Sequence, residues 1–126
     1  MSSLPNDLCK QILALDPSIR YAGILDRSEK IIMQEHRENI QSLLPDDVRE
    51  ISLKHAAQRM RERTLLRPYI GKPLYFIGVY EKIVRATIPL SGKYYLLALS
   101  MNPDAKYDKI IREKILPFLE KNNLKE

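Results

Sequence analysis

Apolar residues between Pro73 and Met101 form three short runs, at positions 73–80, 83–89 and 94–101, separated by polar breaks. The runs are rich in β-branched and aromatic residues, which predicts the three strands of an antiparallel meander. Both alternating faces of the meander are largely apolar. We therefore expect other elements to cover the sheet on both sides.

The chain before the meander predicts a helix followed by a hairpin. Apolar residues recur at helical spacing from Leu4 to Leu15, and Pro17 ends this first helix. Strand-like runs at 20–25 and 30–34 then flank a turn at 26–29, which indicates the two arms of a hairpin.

The longest helix is predicted from Asp46 to about Leu66, where Pro68 and Gly71 end it. Its apolar positions form two groups at 100° per residue. The first group comprises Leu53, Ala56, Ala57, Met60 and Thr64, and the second comprises Val48, Ile51, His55, Leu65 and Leu66. A surface helix of a monomer usually has one apolar stripe, so the second group predicts contact with another molecule.

Helical spacing returns after residue 106 and predicts a final helix in which Pro117 kinks or weakens the last turn. We expect the ends of the chain, residues 1–3 and 122–126, to be loose. The predicted core comprises Leu8, Ile12, Ile24, Ile32, Phe76, Val84, Ile88, Leu97, Leu99, Ile111 and Ile115.

The length of 126 residues fits a single domain spanning 1–126, and its net charge is +5 with a pI near 9.3. This charge permits an acidic partner or nucleic acid without arguing for either. Cys9 is the only cysteine, which excludes an internal disulfide and a cysteine-based zinc site. No leader peptide opens the sequence and no apolar run nears the ~20 residues of a membrane span, so a cytoplasmic protein is expected.

No motif in the sequence identifies a reaction, a cofactor or a metal. His36 and His55 lie in different elements and outside any metal-binding spacing. Asp46 and Asp47 suit the positive end of a helix better than acid–base catalysis. Cys9 has no base near it in the sequence, and the four glycines are too scattered to form a phosphate loop.

Basic residues cluster at the end of the long helix. They are Arg59, Arg61, Arg63, Arg67 and Lys72, with Tyr69 and Tyr75 close by in sequence. Such a run combines phosphate-binding charges with stacking rings, as in nucleic-acid-binding proteins. The arginines point in different directions around the helix, however. Solvation and ion pairs with Glu50 or Glu62 are the simpler interpretation, and we expect no nucleic-acid binding.

The order of elements resembles the roadblock/LC7 fold, which is related to profilin-like domains. The resemblance extends from about Leu4 to Leu119, with residues 21–26 as the first strand and 30–32 opening the second. Gly23 and Asp26 match the family's loose motif, while Ser28 and Glu29 stand where glycine is common. The layout and the turn at 80–83 also resemble a group of small, uncharacterised archaeal proteins.

This resemblance implies an α+β domain in which helices cover a five-stranded antiparallel sheet, in the order α-β-β-α-β-β-β-α. It also implies a non-catalytic module, and we expect no cofactor. Roadblock proteins commonly form homodimers through the middle helix and the neighbouring edge strand, and many serve as scaffolds or regulators of small GTPases. A self-associating module with a small GTPase as a further partner is thus the expected function.

The sequence pattern predicts the residues of the dimer interface independently of the family. The exposed group on the long helix and an edge strand at the start of the meander would meet a second copy. The predicted interface residues are Val48, Ile51, His55, Leu65, Tyr75, Ile77 and Val79. The alternatives are a sensor domain that binds a small molecule between sheet and helices and, less favoured, a nucleic-acid-binding protein or an enzyme.

Overall fold

The computed structural model describes residues 5–92 and 94–126, with Tyr94 described by its backbone alone. The strands are β1 (Ile19–Asp26), β2 (Ile31–His36), β3 (Phe76–Val79), β4 (Val84–Pro89) and β5 (Tyr94–Met101). The helices are α1 (Leu8–Leu13), α2 (Asp46–Arg63), α3 (Arg67–Ile70), α4 (Tyr107–Ile110) and α5 (Leu116–Lys121). A 3-10 turn joins α2 to α3 and a π-helical stretch joins α4 to α5, so the predicted order α-β-β-α-β-β-β-α is confirmed.

All five strands belong to one antiparallel sheet with the order β2-β1-β5-β4-β3. Three of the four strand pairs are sequence-adjacent hairpins, whereas β1 and β5 pair across most of the chain. This long-range pairing puts β5 at the centre of the sheet. It leaves β2 and β3 as edges, which confirms that the first strand of the meander is an edge strand.

The larger core lies between one face of the sheet, here called the first face, and the helices α1, α4 and α5. Nine of the predicted core residues are at most 2% exposed there: Leu8, Ile12, Ile24, Val84, Ile88, Leu97, Leu99, Ile111 and Ile115. Leu4, which the sequence placed in the first helix, lies outside the described residues.

A smaller core lies on the second face of the sheet, where α2 packs. Leu53, Ala57 and Met60 of α2 contact side chains of β1 and β5, among them Leu25 and Leu96. None of the residues buried in this smaller core comes from β4 or β3. Helix α2 therefore covers the β1–β5 half of the second face and leaves the β4–β3 half to other contacts.

Two predicted core residues are not in the core. Ile32 is 43% exposed because it is the extra residue of a β-bulge: Ile24 pairs with Met33 and Leu25 pairs with Ile31, which leaves Ile32 without a partner. Phe76 is half-buried, because β3 is an edge strand and the ring packs at the margin of the smaller core.

The helix ends also differ from the sequence prediction. The segment that begins with α2 continues to Ile70, because the chain tightens into a 3-10 turn and Pro68 then falls in the first turn of α3. Thr64, predicted on the buried face, is exposed as a result. Pro117 likewise lies in the first turn of α5, directly after the π-helical stretch, and the helix continues to Lys121.

The end of the chain is held against the sheet rather than loose. Leu124 is 5% exposed in the larger core, and its carbonyl accepts a hydrogen bond from the Ser91 amide at 2.9 Å. Leu90 forms a β-bridge with Lys125. The last residues therefore extend the packing around the β4–β5 turn.

Candidate functional site

Helix α2 has an inner side that is buried and an outer side that is apolar and exposed. On the inner side, Leu53 is 1% and Ala57 is 0% exposed, and the Ala57 carbonyl accepts a hydrogen bond from Tyr95 Oη at 3.3 Å. On the outer side, Val48 is 45% and Ile51 is 55% exposed. The sequence predicted both groups, and the structure confirms that only one of them covers the sheet.

The exposed apolar side chains continue beyond α2. Leu65 and Leu66 in the 3-10 turn are exposed, as are Tyr69 and Ile70 in α3. We call Val48, Ile51, His55, Leu65 and Leu66 the outer stripe of α2. His55 is exposed within it.

The predicted interface residues near β3 do not lie on the same face of the sheet as α2. Tyr75 and Ile77 pack against the larger core on the first face, and Tyr75 hydrogen-bonds the Asp108 carboxylate. Ile77 pairs with Ala86 of that core. Val79, at the end of β3, is 65% exposed. The structure thus brings three predicted interface residues together on α2, while Tyr75 and Ile77 lie across the sheet from them.

A groove of about 530 Å³ lies between α2 and the uncovered half of the second face. Arg85 and Thr87 of β4 contribute to its lining, as do Phe76 and Gly78 of β3. The loop before α2 and the β3–β4 turn also line it. We call this space the arginine groove, because its basic lining residues are Arg20, Arg49, Arg59, Arg63, Lys82 and Arg85.

Arg49 is the most buried of these cations, at 7% exposure. Its guanidinium donates to Asp46 Oδ1 at 2.8 Å, to Ser42 Oγ at 2.6 Å and to the Leu44 carbonyl at 2.9 Å, and it lies 5.6 Å from the Tyr21 ring. Asp46 therefore serves as a partner for Arg49 at the start of α2.

Tyr21 and His36 lie beside Arg49, with their ring centroids 4.8 Å apart. Tyr21 Oη donates to Gln34 Oε1 at 2.8 Å, and burial raises the pKa of this phenol to about 12. For His36, desolvation and then the charge of Arg49 hold the imidazole pKa below its ordinary value. Both shifts favour the uncharged form of the side chain.

The predicted basic run divides into two sets. Arg61 pairs with Glu29 at 2.7 Å, Arg67 pairs with Glu126, and Lys72 donates to the Glu126 carbonyl at 3.0 Å. These partners are distant in sequence, so the expected pairing with Glu50 or Glu62 is wrong for this set. Arg59 and Arg63 instead line the arginine groove, and the Arg63 guanidinium lies 4.1 Å from the Phe76 ring centroid.

The remaining candidate residues form no reactive centre. Cys9 is 2% exposed, and burial, with a smaller effect of the Glu35 charge, raises the pKa of its thiol to about 12. No group of three or more His, Cys, Asp or Glu side chains within residues 5–92 and 94–126 is arranged to hold a metal ion. None of the described helices is both long enough and apolar enough to cross a membrane.

Sequence reasoning found Arg59 and Arg63 but missed the rest of the groove. Arg85 and Thr87 alternate with Val84, Ala86 and Ile88 along β4, and this alternation is the signal that could have shown one face of the strand to be polar, although both faces of the meander were expected to be largely apolar. Arg20 and Arg49 carry no such signal, because only the folded chain brings them to the same cavity.

Solved structures share this architecture over most of the chain. A Roadblock/LC7 domain from Streptomyces avermitilis superimposes with a TM-score of 0.70 over 95% of this chain and 98% of its own, at 10% identity. The chain has the roadblock/LC7 fold. The gliding protein MglB from Thermus thermophilus is similar with a TM-score of 0.67, 16% identity and coverage of 87% and 82%. Myxococcus xanthus MglB gives a TM-score of 0.69, 12% identity and coverage of 94% and 90%.

At the level of sequence, no family model matches the chain and no curated protein is significantly similar to it. The roadblock/LC7 similarity is therefore carried by the fold, and the predicted α+β topology is confirmed by it.

Proposed function

We propose that this protein is a non-catalytic, homodimeric interaction module that acts as a scaffold or regulator in a small-GTPase system. The observation that carries the proposal is the two-sided helix α2, whose inner residues pack on the sheet while Val48 and Ile51 on its outer side remain about half exposed. Burying this outer stripe against a second copy would remove apolar surface from water.

The edge strand β3 supports the same arrangement. Its outer hydrogen-bonding groups are free to pair with a second β3 strand about a two-fold axis, which would extend the sheet across two subunits. Val79 is exposed at this edge. In this arrangement, the side chains of Tyr75 and Ile77 stay packed in their own subunit. These two residues would take part in the interface only through their backbone at the edge of the sheet.

One of the structural relatives is consistent with self-association. MglB, one of the proteins with this fold, has been solved in a tetrameric arrangement. The small-GTPase partner is proposed from the resemblance to roadblock proteins. The non-catalytic part agrees with the chemistry of this chain, since the Cys9 thiol is buried and protonated and Asp46 is paired with Arg49.

The test of self-association compares two matched substitutions. Ile51→Glu puts a charge in the outer stripe, whereas Ile32→Glu puts the same charge at a similarly exposed position on the opposite edge strand, β2. We expect the wild type and Ile32→Glu to be dimers by light scattering at roughly 50 µM, and Ile51→Glu to be a folded monomer. A monomeric wild type, or an Ile51→Glu dimer, would refute the interface.

The position of the β3 edge is tested by cross-linking. Cys9 is buried, so Val79→Cys supplies a single accessible thiol at the edge strand. Paired β3 edges predict a rapid disulfide between two subunits under mild oxidation. Ile32→Cys is the control and should cross-link slowly. Equal rates for the two variants would exclude β3 pairing.

The GTPase role is tested with purified small GTPases encoded in the same genome. We expect the dimer to bind at least one of them in one nucleotide state by calorimetry, and Ile51→Glu to bind it more weakly. Absence of binding in both nucleotide states, with the dimer intact, would contradict this part of the proposal alone.

A further inference from the structure

The arginine groove carries a charge that its own lining does not balance. Six basic side chains line it, and no carboxylate appears among the described residues that do so. Arg85 donates to Ser52 Oγ at 2.5 Å, and Arg20 donates to Asn102 Oδ1 and to the Gln41 carbonyl, both at 3.1 Å. These neutral partners orient the guanidinium groups without cancelling their charge.

Besides Arg20 and Arg85, three further cations of the groove have no acidic partner in the described part of the chain. Arg59, Arg63 and Lys82 form no ion pair there, whereas Arg61 and Arg67, nearby in sequence, are paired with Glu29 and Glu126. Arg63 is held over the Phe76 ring. Five of the six basic side chains that line the groove therefore carry a charge that no carboxylate of the described residues pairs with.

The shape of the groove favours a small molecule. A volume of about 530 Å³ is within the range typical of small-ligand pockets, roughly 300–1,000 Å³. Its walls include the rings of Phe76 and Tyr80, which can contact a planar or apolar body. A single-stranded nucleic acid would instead need cations spaced along an open track.

We propose that the arginine groove binds a small molecule bearing two or more phosphate groups, of the class of nucleoside polyphosphates. The forked guanidinium groups of Arg59 and Arg63 bind the phosphates, because planar N–H pairs match phosphate oxygens in geometry and charge. Lys82 adds a third positive charge from the β3–β4 turn. Aromatic side chains of β3 and its turn contact the base.

This inference goes beyond the dimer proposal and does not depend on it. The residues that line the groove come from one subunit, so a monomer is sufficient for binding. A chain that binds polyphosphate without forming dimers would refute the proposed interface and leave the ligand site standing. A chain that forms dimers without binding polyphosphate would refute the ligand site and leave the proposed interface standing.

The experiment is calorimetric titration of the full chain with ATP, ADP and inorganic tripolyphosphate. The double variant R59Q/R63Q removes two unpaired charges from the groove. The control K109Q/K121Q removes two exposed charges from the helices that pack on the opposite face of the sheet. K82Q removes one further charge of the groove from the β3–β4 turn, where we expect a substitution to affect folding less than it would inside a helix.

We expect saturable binding by the wild type and about tenfold weaker binding, or more, for R59Q/R63Q, because each guanidinium–phosphate contact is a charge-assisted hydrogen bond. K82Q should weaken binding to a smaller extent, and K109Q/K121Q should change it less than about twofold. Tighter binding of ATP than of tripolyphosphate identifies a nucleotide as the source of the phosphates. Equal affinities identify the polyphosphate alone, and either result supports the site.

Amide chemical shifts give a readout that does not rely on variants. ATP should shift the amides of Gly78 and Thr87, which line the groove, and leave those of Leu8 and Ile12 unchanged. The proposal is overturned by an absence of saturable binding, by equal losses in R59Q/R63Q and K109Q/K121Q, or by shifts outside the groove. Tighter binding of a single-stranded oligonucleotide than of ATP would also overturn it.

Discussion

Replacing Leu97 with alanine removes a side chain from the centre of the larger core. Leu97 is 0% exposed in β5, the middle strand of the sheet, and its register partners are Ile24 in β1 and Ile88 in β4. Both neighbouring strands are themselves held by hydrogen bonds and by the helices on the first face. The site has little freedom to collapse, so the substitution should leave a cavity.

The magnitude follows from this rigidity. Leu→Ala substitutions at packed sites cost about 2–5 kcal/mol, and the poorly collapsible site of Leu97 favours the upper half of that range. A domain of this size has a total unfolding free energy of about 5–15 kcal/mol. The substitution therefore removes a large fraction of the stability, and the urea midpoint should fall by roughly 1–3 M.

Urea unfolding followed by circular dichroism measures this loss, and Ile32→Ala is its matched control. The sequence predicted both residues to be core, but Ile32 is 43% exposed in a bulge of an edge strand. We expect Ile32→Ala to cost less than about 1 kcal/mol. Equal midpoint shifts for the two variants would refute the placement of β5 at the centre of the sheet.

Three other predictions concern buried or crowded groups. Burial, with a smaller effect of the Glu35 charge, raises the pKa of Cys9 to about 12. Iodoacetamide should therefore label the folded protein far more slowly than the urea-unfolded chain. Rapid labelling of the folded protein would contradict this prediction. Desolvation and the charge of Arg49 lower the pKa of His36 below its unfolded value of about 6.5. Between the folded and the unfolded pKa of His36, the unfolded chain binds more protons than the folded chain. The stability of the folded protein should therefore fall as pH drops below about 6.5. His36→Gln should flatten this dependence, and an unchanged slope in His36→Gln would exclude the effect. A methyl group on Gly23 would lie 2.3 Å from Tyr21 Oη, so Gly23→Ala should displace the ring, break its hydrogen bond to Gln34 and cost about 1–3 kcal/mol by calorimetry. Gly78→Ala meets only the exposed Tyr80 ring at 3.2 Å and should cost less, and the opposite ranking would count against the argument.

The amino-acid sequence determines the elements of this fold and their order. Short runs rich in β-branched and aromatic residues specify the strands, and helical spacing specifies α2 with its two apolar sides, because both patterns depend on residues a few positions apart. Angular positions along α2 separate Leu53 and Met60 from Ile51, and the small Ala56 in the first group indicated that this group approaches the strands. These properties needed no knowledge of distant contacts.

The tertiary structure decided everything that depends on distant pairing. Ile32 is exposed because β1 and β2 pair with a bulge, which the spacing of apolar residues does not reveal. Arg61 finds Glu29 through the packing of α2 beside the hairpin. The arginine groove exists because β1 pairs with β5, so that α2 covers one half of the sheet and leaves Arg85 and Thr87 beside its other flank. The angular positions of side chains around α2 follow from the sequence. The part of the sheet that each of these side chains faces is set by the order of the strands beneath the helix.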